Sequence, residues 1–133
     1  MGNNLGNLYT AGYLNWSDDD FYKKVEELNA YVTDVRLVPW AFFPYWQKQY
    51  IQKALGNKYI HIKELGNKNY NNIKLPIEIL DISKISQVID LLKSVNNFIL
   101  LCACKDIEKC HRKFLAETIG IELKINFSEL KGK

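Results

Sequence analysis

The run Phe98-Ile99-Leu100-Leu101-Cys102-Ala103 constrains this chain most. Six consecutive apolar residues, with no polar position to face water, read as a strand buried on both sides. Such a strand needs a layer of structure on each face, which excludes a two-layer fold with one wet sheet surface. The run reaches only to Cys104, far short of the ~20 apolar residues of a membrane helix.

The flanking sequence supplies the layers. Ser17 is a good N-cap, followed by Asp18, Asp19 and Asp20 at the positive end of a helix dipole, and Phe21, Val25 and Leu28 share one helical face. Tyr45 to Leu55 repeats Trp46, Tyr50 and Ala54 at a spacing of four, and Gly56 closes it. Ser83 precedes the apolar stripe Ile85, Val88, Ile89 and Leu92. Glu108 to Ile119 reads as a last helix stopped by Gly120, with Phe114, Leu115 and Ile119 inward. Between them, Leu8 to Tyr13, Tyr31 to Arg36, Lys58 to Lys63 and Ile121 to Phe127 read as strands. Glu64 to Asp81, rich in Asn, reads as a long loop.

Strands alternating with helices predict an α/β three-layer sandwich around a mostly parallel sheet. A length of 133 residues, 47% of them hydrophobic, predicts a single domain over 1–133, with 1–7 and 128–133 as flexible termini.

Charge and cysteine usage narrow the function classes. The net charge of +3 is spread without a Lys/Arg block, so nucleic-acid binding is permitted but not demanded. Cys102, Cys104 and Cys110 are an odd set without a signal-like N-terminus, which predicts a reduced, cytoplasmic protein with no membrane partner. Walker A, H-E-x-x-H and G-x-S-x-G patterns are absent from the sequence.

In a parallel sheet the carboxyl ends of all strands lie on one edge, where ligands gather. Those ends carry Tyr13, Arg36, His61 and Cys102, and the start of the last helix adds Cys110, His111 and Arg112. Arg36 and Arg112 are the only arginines among 18 basic residues. A bidentate clamp on an anion explains their retention, and so does an ion pair of Arg36 with Asp34 or Glu64. Cys102 or Cys110 is the candidate nucleophile, with His61 or His111 as proton carrier and Arg36, Arg112, Tyr13 and Cys110 as ligand-binding groups. Cys102 also suits a core position, and His111 a structural one. The set Cys102, Cys104, Cys110 and His111 has zinc-type chemistry, but it lacks a C-x2-4-C knuckle, and neighbouring ligands at 110 and 111 diverge on a helix. No metal or cofactor is therefore expected.

The motifs Thr10-x-Gly12-Tyr13, Asp34-Val35-Arg36 with Pro39, Tyr59-x-His61 with Glu64-Leu65-Gly66, and Leu100-Leu101-Cys102-Ala103 with Cys110-His111-Arg112 occur in one order. Together they resemble the domain-of-unknown-function 488 family over about residues 8 to 120. The resemblance implies a compact Rossmann-like domain and brings no settled activity. The chain departs from that pattern at Leu14, where the family has a small polar residue, and at Cys104, where it has an acidic one. It departs again over Trp40 to Trp46, where the family is often basic and polar.

The resulting expectation is binding or processing of a small anionic ligand, a nucleotide among the candidates, at the carboxyl edge. Trp40 to Trp46, with five rings in seven residues, supports two alternatives. One is a nucleic-acid module that stacks bases there; the other is a loop that folds its rings over the sheet or into a homodimer contact. A non-catalytic interaction domain whose rim residues only stabilise the fold is a third possibility.

Overall fold

The structure is a computed structural model and describes residues 6–72 and 74–132. The chain runs β1 (Asn7–Gly12), α1 (Asp18–Leu28), β2 (Tyr31–Asp34), α2 (Lys48–Leu55), β3 (Tyr59–His61), α3 (Ile85–Leu92), β4 (Asn97–Cys102), α4 (His111–Leu123) and β5 (Phe127–Glu129). The five strands form one sheet in the order β3-β2-β4-β1-β5, with every pairing parallel.

β4 lies at the centre, as its composition requires. Phe98, Leu100 and Cys102 point into the core shared with α3 and α4, while Ile99 and Leu101 point into the core shared with α1 and α2. Each of Phe98 to Leu101 is fully buried, and such side chains stabilise a fold by ~1.5–3 kcal/mol apiece. The three-layer α/β sandwich with a parallel, Rossmann-like sheet follows from this two-faced strand. Ser17 caps α1 by accepting from the Asp20 N–H, and Phe21 and Val25 are its buried positions.

Several boundaries differ from expectation. α4 begins at His111 and runs through Gly120 to Leu123, so Ile121 is a helical residue, 81% exposed, and the last strand starts only at Phe127. Gly120 is required for close approach rather than for stopping the helix, since a Cβ there would lie 2.7 Å from the Ile125 carbonyl oxygen. Phe114 is exposed instead of inward, and Leu115, Ala116 and Ile119 are buried. Asp81, not Ser83, accepts the capping hydrogen bond before α3. Asn7 belongs to β1, and Ser128 and Glu129 belong to β5, so these residues are strand rather than tail. The rest of the expected N-terminal tail lies outside the described residues up to position 5. Among the described residues no helix is long and apolar enough to cross a membrane.

Candidate functional site

The chain leaves β1 for β2 through α1 on one face, stepping over β4; it leaves β4 for β5 through α4 on the other face, stepping over β1. Exits in opposite directions open a crevice outside the carboxyl ends of β1 and β4, the place where ligands bind in open α/β sheets. A cleft of about 740 Å3 lies there, lined by Leu14, Trp16, Lys105, Asp106, Glu129 and Lys131 among others. The Asn15 amide donates to the Lys105 carbonyl at 2.7 Å and ties the two exits together. The Trp16 indole N–H is buried and has no partner among the described residues.

The sheet divides the expected site residues between its two faces. On the α1/α2 face, Arg36 folds back onto Asp34, donating Nε–H to Oδ1 at 2.9 Å and Nη2–H to Oδ2 at 2.6 Å. Tyr59 donates to the same Oδ2 at 2.7 Å. The guanidinium carbon of Arg36 stands 5.4 Å from the centre of the Tyr13 ring, which stacks on Trp46 at 5.0 Å. Burial lifts the Tyr13 hydroxyl above the ordinary phenol range, and Arg36 acts against that lift. His61 donates Nε2–H to the Arg36 carbonyl at 2.7 Å. Of the two ion pairs open to Arg36 from sequence, the one with Asp34 is formed, and one nitrogen, Nη1, has no partner among the described residues.

On the α3/α4 face, Cys102, Cys110 and His111 meet with ligand atoms within 4.8 Å of one another, all three residues buried. His111 Nδ1 is 3.7 Å from Cys102 Sγ and 3.9 Å from Cys110 Sγ, and Nε2–H donates to the Val35 carbonyl at 2.6 Å. The expected divergence of positions 110 and 111 does not occur. Cys110 is the extended N-cap of α4 (φ −119°, ψ 143°), preceded by a 3-10 turn over Ile107–Lys109, so its side chain swings back toward the His111 ring. Contacts from Cys102 and then Cys104 hold the Cys110 thiol far below the ordinary thiol range, against burial. Cys104 is pushed above that range by Cys102, by Cys110 and by burial. For Cys102, contact with Cys104 acts downward, but contact with Cys110 and burial outweigh it and raise the thiol to about 12. Burial lowers His111, and the Cys110 contact more than offsets it.

Arg112, fully buried, donates to Glu129 at 3.1 and 2.7 Å and to the Cys104 carbonyl at 2.9 Å. The sequence offered no signal for Glu129, because the strand that carries it was read six residues too early. Neither Lys105 nor Lys131 stood out among the many lysines. The aromatic run is also divided: Trp46 is core, while Trp40, Phe42 and Phe43 are 63%, 81% and 53% exposed.

No family model matches the chain, and no curated protein or solved structure matches it either.

Proposed function

We propose that the chain binds a small anionic ligand, of nucleotide size, in the cleft at the carboxyl ends of β1, β4 and β5. The observation that carries this reading is the position of a cleft of about 740 Å3 at the point where the β1 and β4 exits diverge. Its volume falls in the range of small-molecule sites, ~300–1,000 Å3. Lys105 and Lys131 supply positive charge on its wall, and Trp16, whose buried indole N–H has no partner among the described residues, lines it as well. Arg112 contributes indirectly by holding Glu129, one of the wall residues. Arg36, whose charge is met by Asp34, retains only Nη1 for a ligand that reaches the edge from the other face. The motif order shared with the 488 family agrees with a domain organised around its strand ends, and the three free cysteines agree with a reduced, cytoplasmic setting.

Thermal shift with nucleotides and phosphorylated metabolites tests the reading. A ligand at about 100 times its dissociation constant stabilises the native state by about 2.7 kcal/mol. The expected result is a shift lost in Lys105→Ala and Lys131→Ala, both exposed positions whose removal leaves the unliganded melting temperature unchanged. Absence of a shift across the panel refutes the reading, and a shift lost only in Arg36→Lys moves the site to the Arg36 side of the sheet.

The exposed rings of Trp40, Phe42 and Phe43 favour a second reading, single-stranded nucleic acid stacked on that loop with lysines on the phosphates. Oligonucleotide affinity that falls steeply with salt supports it. Self-association that disappears in Phe42→Ser supports instead the homodimer contact of an interaction domain.

A further inference from the structure

We infer that Cys102, Cys110 and His111, completed by Cys104, form a binding site for a thiophilic divalent cation, zinc being the best fit. Zinc binds sulfur at ~2.3 Å and imidazole nitrogen at ~2.0–2.1 Å in a tetrahedron, so a sulfur and a nitrogen bound to one ion stand about 3.5–3.6 Å apart. The Cys102 Sγ to Nδ1 and Cys110 Sγ to Nδ1 separations are 3.7 and 3.9 Å, so small side-chain turns close the set onto an ion.

The orientation of the imidazole is the second argument. Because Nε2–H is spent on the Val35 carbonyl, the ring in its neutral form is the tautomer with a lone pair on Nδ1, the atom nearest both sulfurs. A hydrogen bond from the far nitrogen to a backbone carbonyl is the usual support of a metal-bound histidine. Cys102 Sγ lies 3.7 Å from Nδ1 and 4.0 Å from Nε2, off the lone-pair axis, so capture includes a turn of this side chain toward Nδ1.

The surroundings suit an ion better than a nucleophile. Cys102, Cys110 and His111 are buried, which keeps a bulky substrate away, while Cys104, two residues beyond Cys102 and only partly buried, stands outside the three-residue cluster and would join it by a turn of its side chain. Three sulfurs and one imidazole select zinc over calcium or magnesium, which take oxygen ligands. Binding exchanges thiol protons for the metal and releases them to solvent, with no change of oxidation state. The bound ion would staple the end of β4 to the start of α4.

Titration of the full chain with Co2+ alone, under a non-thiol reductant, tests the site. The expected result is one ion per chain with a thiolate-to-cobalt charge-transfer band and strong visible bands of tetrahedral cobalt, both erased by Zn2+. Cys104→Ser, at the most exposed of the three thiols, weakens binding at least tenfold, and Cys110→Ser abolishes it. Folded, reduced wild type without these bands overturns the inference, as does an unchanged spectrum in Cys104→Ser. If Cys110→Ser fails to fold, the wild-type spectrum and Cys104→Ser decide alone. The site does not rest on the cleft: Lys105→Ala and Lys131→Ala leave the cobalt spectrum unchanged whether or not they abolish anion binding.

Discussion

Arg112 at the start of α4 and Glu129 at the end of β5 form a bidentate pair across the sheet edge, with Nε and Nη2 at 3.1 and 2.7 Å from the two carboxylate oxygens. Thr10 of β1 donates to the same carboxylate at 2.6 Å, and the remaining guanidinium nitrogen, Nη1, donates to the Cys104 carbonyl at 2.9 Å. One guanidinium thus fixes the edge strand, the first strand and the exit of the central strand. This explains why lysine, a single point donor, does not stand at position 112.

Removing one member of this buried pair leaves the other charge unpaired, which costs about 3–5 kcal/mol. Arg112→Met is therefore expected to lose about that much in urea denaturation. The double variant Arg112→Met/Glu129→Met should recover most of the loss, because two apolar side chains leave no stranded charge. Equal destabilisation by the single and double variants would show that shape, not charge, dominates at this position.

Gly12 is held by space alone. A Cβ there would stand 1.9 Å from the Cys104 carbonyl oxygen and 3.0 Å from Arg112 Nη2, while its backbone, at φ −106°, suits any residue. Gly12→Ala must push the β4 exit off the β1 end, and it is expected to destabilise by more than about 3 kcal/mol, the range of severe core changes. Denaturation midpoints check this. Gly56→Ala is the contrasting control: its cost comes from φ +60° alone, with open space around it.

Much of the fold was legible because β4 is apolar throughout and can only be central, and because Ser17 marks the start of α1 plainly. The errors have local physical causes. Gly120 carries the signal of a helix stop, yet it serves a contact with Ile125 that exists only after β5 has docked. That contact depends on tertiary packing, which periodicity does not encode. The same misplacement hid Glu129 and with it the partner of Arg112. At the site, Arg36, Cys102 and His111 were legible as strand-end and helix-start residues. Their division between two faces was not, since Asp34, the last residue of β2, holds Arg36 on the α1/α2 side while the next side chain, Val35, packs on the α3/α4 side with Cys102 and Cys110.

Trp40 and Phe42 are 63% and 81% exposed, and their removal takes little apolar surface out of the core. Trp40→Ser and Phe42→Ser are expected to change stability by no more than about 0.5 kcal/mol, as surface substitutions do. Trp46→Ala should instead cost about 3–5 kcal/mol, since Trp46 packs against Tyr13, Phe21 and Tyr22 at ring separations of 5.0, 5.4 and 6.1 Å. Fluorescence-monitored unfolding separates the two classes. A large loss in Phe42→Ser would show that the loop's rings support the fold instead of standing free for a partner.

The Asp34, Arg36 and Tyr59 triad gives a dependence on pH whose sign is fixed. Burial, reinforced by the Asp34 carboxylate, raises the Tyr59 hydroxyl above the usual phenol range. A folded-state pKa above the unfolded value of about 10 means the native state holds this proton more tightly. The contribution is therefore fully present below about pH 10 and is lost as pH climbs through the raised folded value. Tyr22, raised by burial and by its neighbour Tyr50, acts with the same sign. Tyr59→Phe also forfeits the 2.7 Å hydrogen bond to Asp34 Oδ2, a bond to a charged group worth about 1.5–3 kcal/mol. At neutral pH this variant should be less stable than wild type by about that amount, with Arg36 still holding Asp34. Above about pH 10 the difference should narrow, because wild type loses what the variant never had. Urea midpoints of the two proteins, measured from neutral to alkaline pH, check the convergence. A gap that stays constant across that range would place the titration elsewhere than on Tyr59.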